Sequence, residues 1–168
     1  KVNEVVTGNY EHRGEAIIYG DTDSVYFSTY KPLQNEIQSG KIPWQKENII
    51  NLYDKISDEV NGSFTQFMTK AFHCPKTRGE VIAAGRELVA SKGLFITKKR
   101  YAVLYFDKEG ERTDTEGLPG KMKAMGLDLK RSDTPVFVQD FLSELLMLVL
   151  TNKNEKEVLD RISEFREE

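Results

Sequence analysis

Two aspartates flank a single threonine in the run Tyr19-Gly20-Asp21-Thr22-Asp23-Ser24. Carboxylates this close repel each other unless a cation is shared between them. Hard divalent ions such as Mg²⁺ suit that need, because they take oxygen ligands, few of them from protein, and let substrate phosphates complete the shell. The chemistry indicated is metal-assisted phosphoryl transfer, with Mg²⁺ as the expected ion and Mn²⁺ as a substitute. A plainer explanation stands beside it: Asp favours turns and hydrogen-bonds its own backbone.

The elements that must position these acids are readable on either side. Ala16-Ile17-Ile18-Tyr19 and Val25-Tyr26-Phe27 are rich in β-branched and aromatic residues and read as the strands of a hairpin, with Gly20 marking the turn. Lys1–Val6 reads as the last turns of a helix closed by Gly8-Asn9. Residues 29–45, with Pro32, Gly40 and Pro43, read as a loop or a short helical excursion. From Gln45 to Phe72, Ile49, Tyr53, Ile56, Val60, Phe64, Phe67 and Ala71 recur every three or four positions, one face of a long amphipathic helix. His73-Cys74-Pro75 ends it, and both His73 and Cys74 are read as structural. Val81–Val89 and Arg100–Phe106 are predicted strands separated by Ser91-Lys92-Gly93. The second turns at Asp107-Lys108-Glu109-Gly110 into Glu111–Asp114, and Thr115–Gly120 is a loop. Thr134 is expected to cap a well-buried helix from Pro135 to Leu150. Asn154 with Glu157 has the spacing of a capping box for a last helix running to Glu168. The pattern predicts an α+β fold with helices on one side of an antiparallel sheet.

Lys98-Lys99-Arg100-Tyr101 opens the second of those predicted strands. Cation runs commonly mark only a solvated surface. In a strand, alternate side chains share a face, so Lys99 and Tyr101 are expected on one side and Lys98 and Arg100 on the other, with part of the run free to press on a nucleic-acid duplex. The chain of 168 residues has a net charge of −3, yet residues 92–131 hold ten Lys/Arg against six Asp/Glu. Positive charge is thus confined to one stretch of an acidic body, as a local phosphate-binding strip requires.

The string Tyr-Gly-Asp-Thr-Asp-Ser resembles the third conserved motif of family-B DNA polymerases, which carries a catalytic aspartate of the palm domain. Lys98-Lys99-Arg100-Tyr101 resembles that family's Lys-Lys-x-Tyr motif, which holds the primer-template near its growing end. Lys121-Met122-Lys123-Ala124-Met125-Gly126-Leu127-Asp128 with Ser132-Asp133-Thr134-Pro135 resembles the matching stretch in the T-even-type bacteriophage branch. Arg86-Glu87 resembles an Arg-Glu pair whose glutamate lies close to the metals. Gly85 stands where relatives carry an aspartate, so an auxiliary acidic role would rest on Glu87 alone. The likeness covers most of the chain, least so over residues 29–80.

The resemblance implies one partial palm domain over 1–168: a loop and long-helix excursion at 29–80, DNA-contacting strands at 81–131 and terminal helices at 132–168. It implies Asp23 as principal metal ligand, Asp21 as a supporting acid and Glu87 as an auxiliary catalytic acid. Thr22 and Ser24 would border the nascent base pair. Lys98, Lys99, Arg100, Tyr101, Lys121 and Lys123 would contact DNA. The implied partners are a primer-template, a deoxynucleoside triphosphate and the remaining polymerase domains, and the intact enzyme would use two ions. The family's Asp-x-x-Ser-Leu-Tyr-Pro and Lys-x-x-x-Asn-Ser-x-Tyr-Gly motifs do not occur in the chain, so a palm fragment that is inactive in isolation is expected. Its single cysteine fits a reducing compartment, and with no secretory or membrane-spanning run the expected location is the cytoplasm of a bacterial host. Two other functions compete on residue type. One is a non-catalytic nucleic-acid-binding module; the other is a glycosyltransferase using Asp-x-Asp to hold an ion against a diphosphate.

Overall fold

Apolar residues at helical spacing from Gln45 onward fold, in a computed structural model, into one long helix that begins at Lys46 and ends at Phe72. The structure describes residues 1–11, 14–127, 129 and 131–167. The chain forms two compact units, Lys1–Glu87 and Leu88–Glu168. The α+β class is as expected, with the strands divided between a two-stranded and a four-stranded antiparallel sheet. Among the described residues no helix is long and apolar enough to cross a membrane.

The first unit contains α1 (Val2–Thr7), the hairpin β1 (Ile17–Asp21) and β2 (Ser24–Phe27), α2 (Gln34–Gln38), α3 (Lys46–Phe72) and α4 (Lys76–Gly79). Gly8 closes α1 in the left-handed region, φ 78, with its N–H donated to the Glu4 carbonyl. The hairpin is fastened to α1 by a buried amide. Asn3 is only 3% exposed; its side-chain oxygen accepts the Ala16 N–H at 3.1 Å. Its nitrogen donates to Thr7 Oγ1 at 3.1 Å and to the Asn9 carbonyl at 2.9 Å. Residue 14 must be glycine beside it, since a Cβ there would fall 2.0 Å from Asn3 Cγ.

The α3 stripe is core packing, as expected. Ile56 and Val60 are buried, Tyr53 packs on Phe27 at 5.1 Å between ring centres, and Phe67 meets Tyr10 at 6.4 Å. Ala71, at the end of the stripe, is exposed. His73 ends the helix in the left-handed region, φ 51. The strand predicted over Val81–Val89 does not form before Leu88. Its backbone is engaged by α3 side chains instead: Asn61 donates to the Ala84 carbonyl and accepts the Ala84 N–H, both at 2.7 Å, and Ser57 donates to the same carbonyl at 3.2 Å. These bonds satisfy polar groups that a neighbouring strand would otherwise pair, overriding the β preference of Val81 and Ile82.

The second unit contains β3 (Leu88–Thr97), β4 (Arg100–Lys108), β5 (Glu111–Arg112), β6 (Lys121–Met125), α5 (Val136–Leu150) and α6 (Glu155–Glu167). Strand β4 pairs antiparallel with β3, β5 and β6. The predicted break at Ser91-Lys92-Gly93 is instead the middle of β3. Glycine is accommodated there because the Phe95 ring folds over it, within 2.8 Å of where a Cβ would stand. The Asp107–Gly110 turn forms as expected, with Glu109 and Gly110 at φ 53 and 91 and the Asp107 carboxylate accepting the Gly110 N–H. Ala102, Leu104 and Leu150 make the core, joined by Leu94, Met122, Ala124, Leu127, Leu146 and Met147.

Two expectations about the terminal helices are corrected. Pro135, not Thr134, occupies the N-cap of α5, and no side-chain hydroxyl caps it; Gln139 donates back to the Thr134 and Arg131 carbonyls at 2.7 and 3.0 Å. Nor is α5 well buried: Leu150 is buried, but Val136 and Phe137 are 71% and 65% exposed. Among the described residues, the helix meets the core along Leu146, Met147 and Leu150. The Asn154–Glu157 capping box is present, Asn154 Oδ1 accepting the Glu157 N–H at 2.8 Å and Asn154 Nδ2 donating to the Glu157 carboxylate at 3.0 Å. Asp128 and Glu168 lie outside the described residues.

Replacing Asn3 by Ala leaves the Ala16 N–H and the Asn9 carbonyl without this partner. The expected loss is about 1–3 kcal/mol, measured by urea unfolding followed through the fluorescence of Trp44, the sole tryptophan.

Candidate functional site

The acidic pair sits on the hairpin tip. Asp21 closes β1 opposite Ser24, and Thr22-Asp23 is the two-residue turn between them. Gly20 does not mark that turn; it lies inside β1 opposite Val25. Neither Thr22 nor Asp23 has positive φ, so the turn makes no demand for glycine. The Asp21 carboxylate is oriented locally: one oxygen accepts the Thr22 N–H at 2.9 Å and the Thr22 hydroxyl at 3.2 Å, and the Tyr19 hydroxyl stands 3.4 Å from the other. Tyr19 packs against Tyr26 below, 6.2 Å between ring centres. Thr22, Asp23 and Ser24 are exposed and Asp21 is half-buried.

This donor set suits a hard divalent ion in kind and falls short in number. Two carboxylates, Asp23 exposed and Asp21 half-buried, provide part of the roughly sixfold oxygen shell of Mg²⁺, and phosphate and water normally supply the remainder. Among the described residues no three His, Cys, Asp or Glu side chains gather into a metal cage.

Glu87 is exposed at the end of the first unit, directly after Arg86. The Arg86–Asp54 bridge anchors this segment to α3. Asp54 carries no motif, and nothing in its local sequence marks it as a partner 32 residues from Arg86. At Gly85 an added Cβ would meet no atom within 4 Å.

The basic run belongs to the second unit and differs from its predicted form. Lys98 and Lys99 are the turn between β3 and β4, with Thr97 opposite Arg100 and Lys99 at φ 61. The expected alternation of faces along Lys98–Tyr101 therefore fails, because half of the run is turn. Lys98, Lys99 and Arg100 are exposed, whereas Tyr101 is 5% exposed and stacked on Phe95 at 5.6 Å. Tyr101 is thus a packing residue at the base of the turn.

Sheet pairing brings the third motif to the second. Lys121 lies opposite Tyr105, Lys123 opposite Val103 and Met125 opposite Tyr101. Met122 and Ala124 face the core below, so Lys121 and Lys123 emerge on the sheet face away from α5. The alternation Lys-Met-Lys-Ala-Met was the available signal for this strand, which sequence reasoning did not assign. One sheet thus carries Lys98, Lys99 and Arg100 at a hairpin end and Lys121 and Lys123 on an adjoining strand, a set suited to a phosphate backbone. Farther on, Arg131 makes two bonds to Asp133, at 2.9 and 2.8 Å. That guanidinium holds the Asp133 carboxyl below the ordinary aspartate range, helped by a backbone hydrogen bond.

Comparison with known proteins gives concordant results. Residues 80–168 match the family model described as DNA polymerase family B. The match includes Glu87, the basic turn and β6; Asp21 and Asp23 lie before it. A protein of Escherichia phage RB69 named DNA-directed DNA polymerase is 32% identical over 163 residues, 89% of this chain. DNA polymerase 037L of Invertebrate iridescent virus 6 is 25% identical over 154 residues, 90% of this chain. The chain spans 17% and 11% of the lengths of these two relatives.

The burial of Tyr101 separates packing from contact in the basic run. Tyr101→Ala is expected to destabilise the chain by about 3–5 kcal/mol, whereas Lys98→Ala should change stability by less than about 0.5 kcal/mol. Thermal unfolding followed by circular dichroism measures both.

Proposed function

Because the chain belongs to DNA polymerase family B, we propose that it forms part of the palm of a DNA-directed DNA polymerase. The whole enzyme joins a primer 3′-hydroxyl to the α-phosphorus of a deoxynucleoside triphosphate and releases pyrophosphate. The observation that carries this reading is the hairpin tip, where Asp21 ends β1 half-buried and Asp23 lies exposed in the two-residue turn that follows. Asp23, exposed in the turn itself, is the principal metal ligand. Asp21, whose carboxylate is already bonded to Thr22 and near Tyr19, is the supporting acid. Thr22 and Ser24 border the nascent pair, and Glu87 is an auxiliary acid. Divalent ions held by Asp21 and Asp23 would supply Lewis-acid chemistry to the attacking hydroxyl and to the charge on the leaving group.

The basic sheet holds the primer-template. Lys98, Lys99, Arg100, Lys121 and Lys123 neutralise backbone phosphates, which fixes the position of the duplex without reading its sequence. Tyr101 acts from beneath by supporting the turn. The partners are DNA, a deoxynucleoside triphosphate and the remaining polymerase segments. The incomplete ligand set supports a further proposal, that the 168-residue chain does not extend a primer by itself.

A second reading has one observation in its favour: residues 80–168, which match the family, contain the basic sheet but not the hairpin acids. In that case the chain contributes DNA binding alone. Family membership removes the ground for a glycosyltransferase.

Titrating a primer-template duplex against salt tests the contact role. Wild type should bind with a steep salt dependence, and Lys98→Ala or Lys121→Ala should each lower the slope of log affinity on log salt by about 1. An unchanged slope in both variants counts against these contacts. Calorimetry with Mg²⁺ and Mn²⁺ tests the acids: weak binding, lost in Asp23→Asn, is expected. Ion binding that survives Asp23→Asn would favour the binding-only reading, and primer extension by the chain alone would overturn the proposed inactivity.

A further inference from the structure

The basic turn between β3 and β4 is held in a conformation that its own residues disfavour. Lys99 lies at φ 61, the left-handed region in which a side chain crowds its own backbone. Such strain persists only where the surroundings impose it. The neighbour packed against it is Gly126, the residue after β6. Gly126 also has positive φ, 65, and a Cβ added there would stand 2.0 Å from the Lys99 carbonyl oxygen and 3.2 Å from Arg100 Cγ. The Gly126 backbone therefore lies directly against the backbone of the turn, a fit closed to any side chain. Gly117 is different: its φ is 80, but an added Cβ would meet nothing within 4 Å. The approach at Gly126 is thus a contact requirement in addition to a conformational one. Pairing of Met125 with Tyr101, itself stacked on Phe95, brings β6 to this point.

We propose that Gly126 is a positioning residue for the nucleic-acid contact: by seating against the Lys99 carbonyl it fixes the direction in which Lys98, Lys99 and Arg100 are presented. The inference rests on the primer-template reading of the basic turn and adds a residue that carries no charge and touches no DNA. A side chain at position 126 pushes the Lys99 carbonyl away and swings the turn, so the cations no longer act as one set with Lys121 and Lys123.

The test compares Gly126→Ala with Gly117→Ala, which carries a similar positive-φ penalty without the collision. With folded protein verified by circular dichroism, Gly126→Ala should bind a primer-template duplex about tenfold or more weakly at low salt, with the salt slope reduced by about 1. Gly117→Ala should stay within about twofold of wild type. Equal affinity and slope for wild type and Gly126→Ala would overturn the inference while leaving the DNA-contact reading intact. A wild-type chain that fails to bind duplex overturns that reading, and the inference with it. If Gly126→Ala does not fold, Lys99→Gly and the double variant Lys99→Gly/Gly126→Ala decide. Glycine at 99 lets the carbonyl yield, so the double variant should fold and bind within about twofold of Lys99→Gly. A double variant that is unfolded, or about tenfold weaker than Lys99→Gly, shows that Gly126 does not act through residue 99 and sinks the proposal.

Discussion

Strand β4 has to bond along both of its edges. Tyr101, Ala102, Val103 and Leu104 are each 5% exposed or less, and peptide groups so deeply buried cannot turn to water. β3 satisfies one edge, β5 and β6 the other. Much of the second unit follows from this. β3 must continue through Gly93 and not stop there, and Phe95 supplies the cover that glycine lacks. β6 must lie close, and a glycine stands at each end of it: an added Cβ at Gly120 would fall 2.3 Å from the Tyr105 carbonyl oxygen, as one at Gly126 would fall on that of Lys99. The lysines of β6 are consequently set by β4 pairing, in register with the turn that carries the other cations.

The hairpin of the first unit has no such central strand. Two strands alone are marginal in water, and this pair leans on its neighbours: the Asn3 amide grips the chain just before β1, and Phe27 and Tyr53 join β2 to α3. These contacts lie at the base, and Thr22, Asp23 and Ser24 at the tip are exposed. Under the proposed reading, exposure of Asp23 and local orientation of Asp21 suit a pair of ligands for an ion that arrives with phosphate oxygens.

Features that depend on a few neighbouring residues were legible in the sequence. The Gly8 helix end, the α3 stripe, the Asp107–Gly110 turn and the Asn154–Glu157 cap all formed as read, because each is decided within one or two turns of chain. Errors fell where partners are distant. Val81 and Ile82 have strand-like side chains, yet Asn61 and Arg86 bind that segment to α3. Lys98 and Lys99 lack the Gly or Asn that announces a hairpin turn, and only pairing with β3 and the seat on Gly126 reveals one. The apolar composition of α5 suggested burial, but composition does not say how many faces find a neighbour. In the candidate site, motif singled out the proposed acids and basic residues; the packing role of Tyr101 and the anchoring role of Asp54 required coordinates.

The uncovered start of α5 affects how this protein behaves at the bench. Val136 and Phe137 stand largely in water near the stacked rings of Phe141 and Phe165. A dye that fluoresces on oily surfaces will glow on the native protein before any heating, flattening the rise that usually reports melting. Kosmotropic salts, which strengthen apolar association, will draw molecules together through the same helix, so ammonium sulfate fractionation will precipitate the chain earlier than its acidic composition suggests.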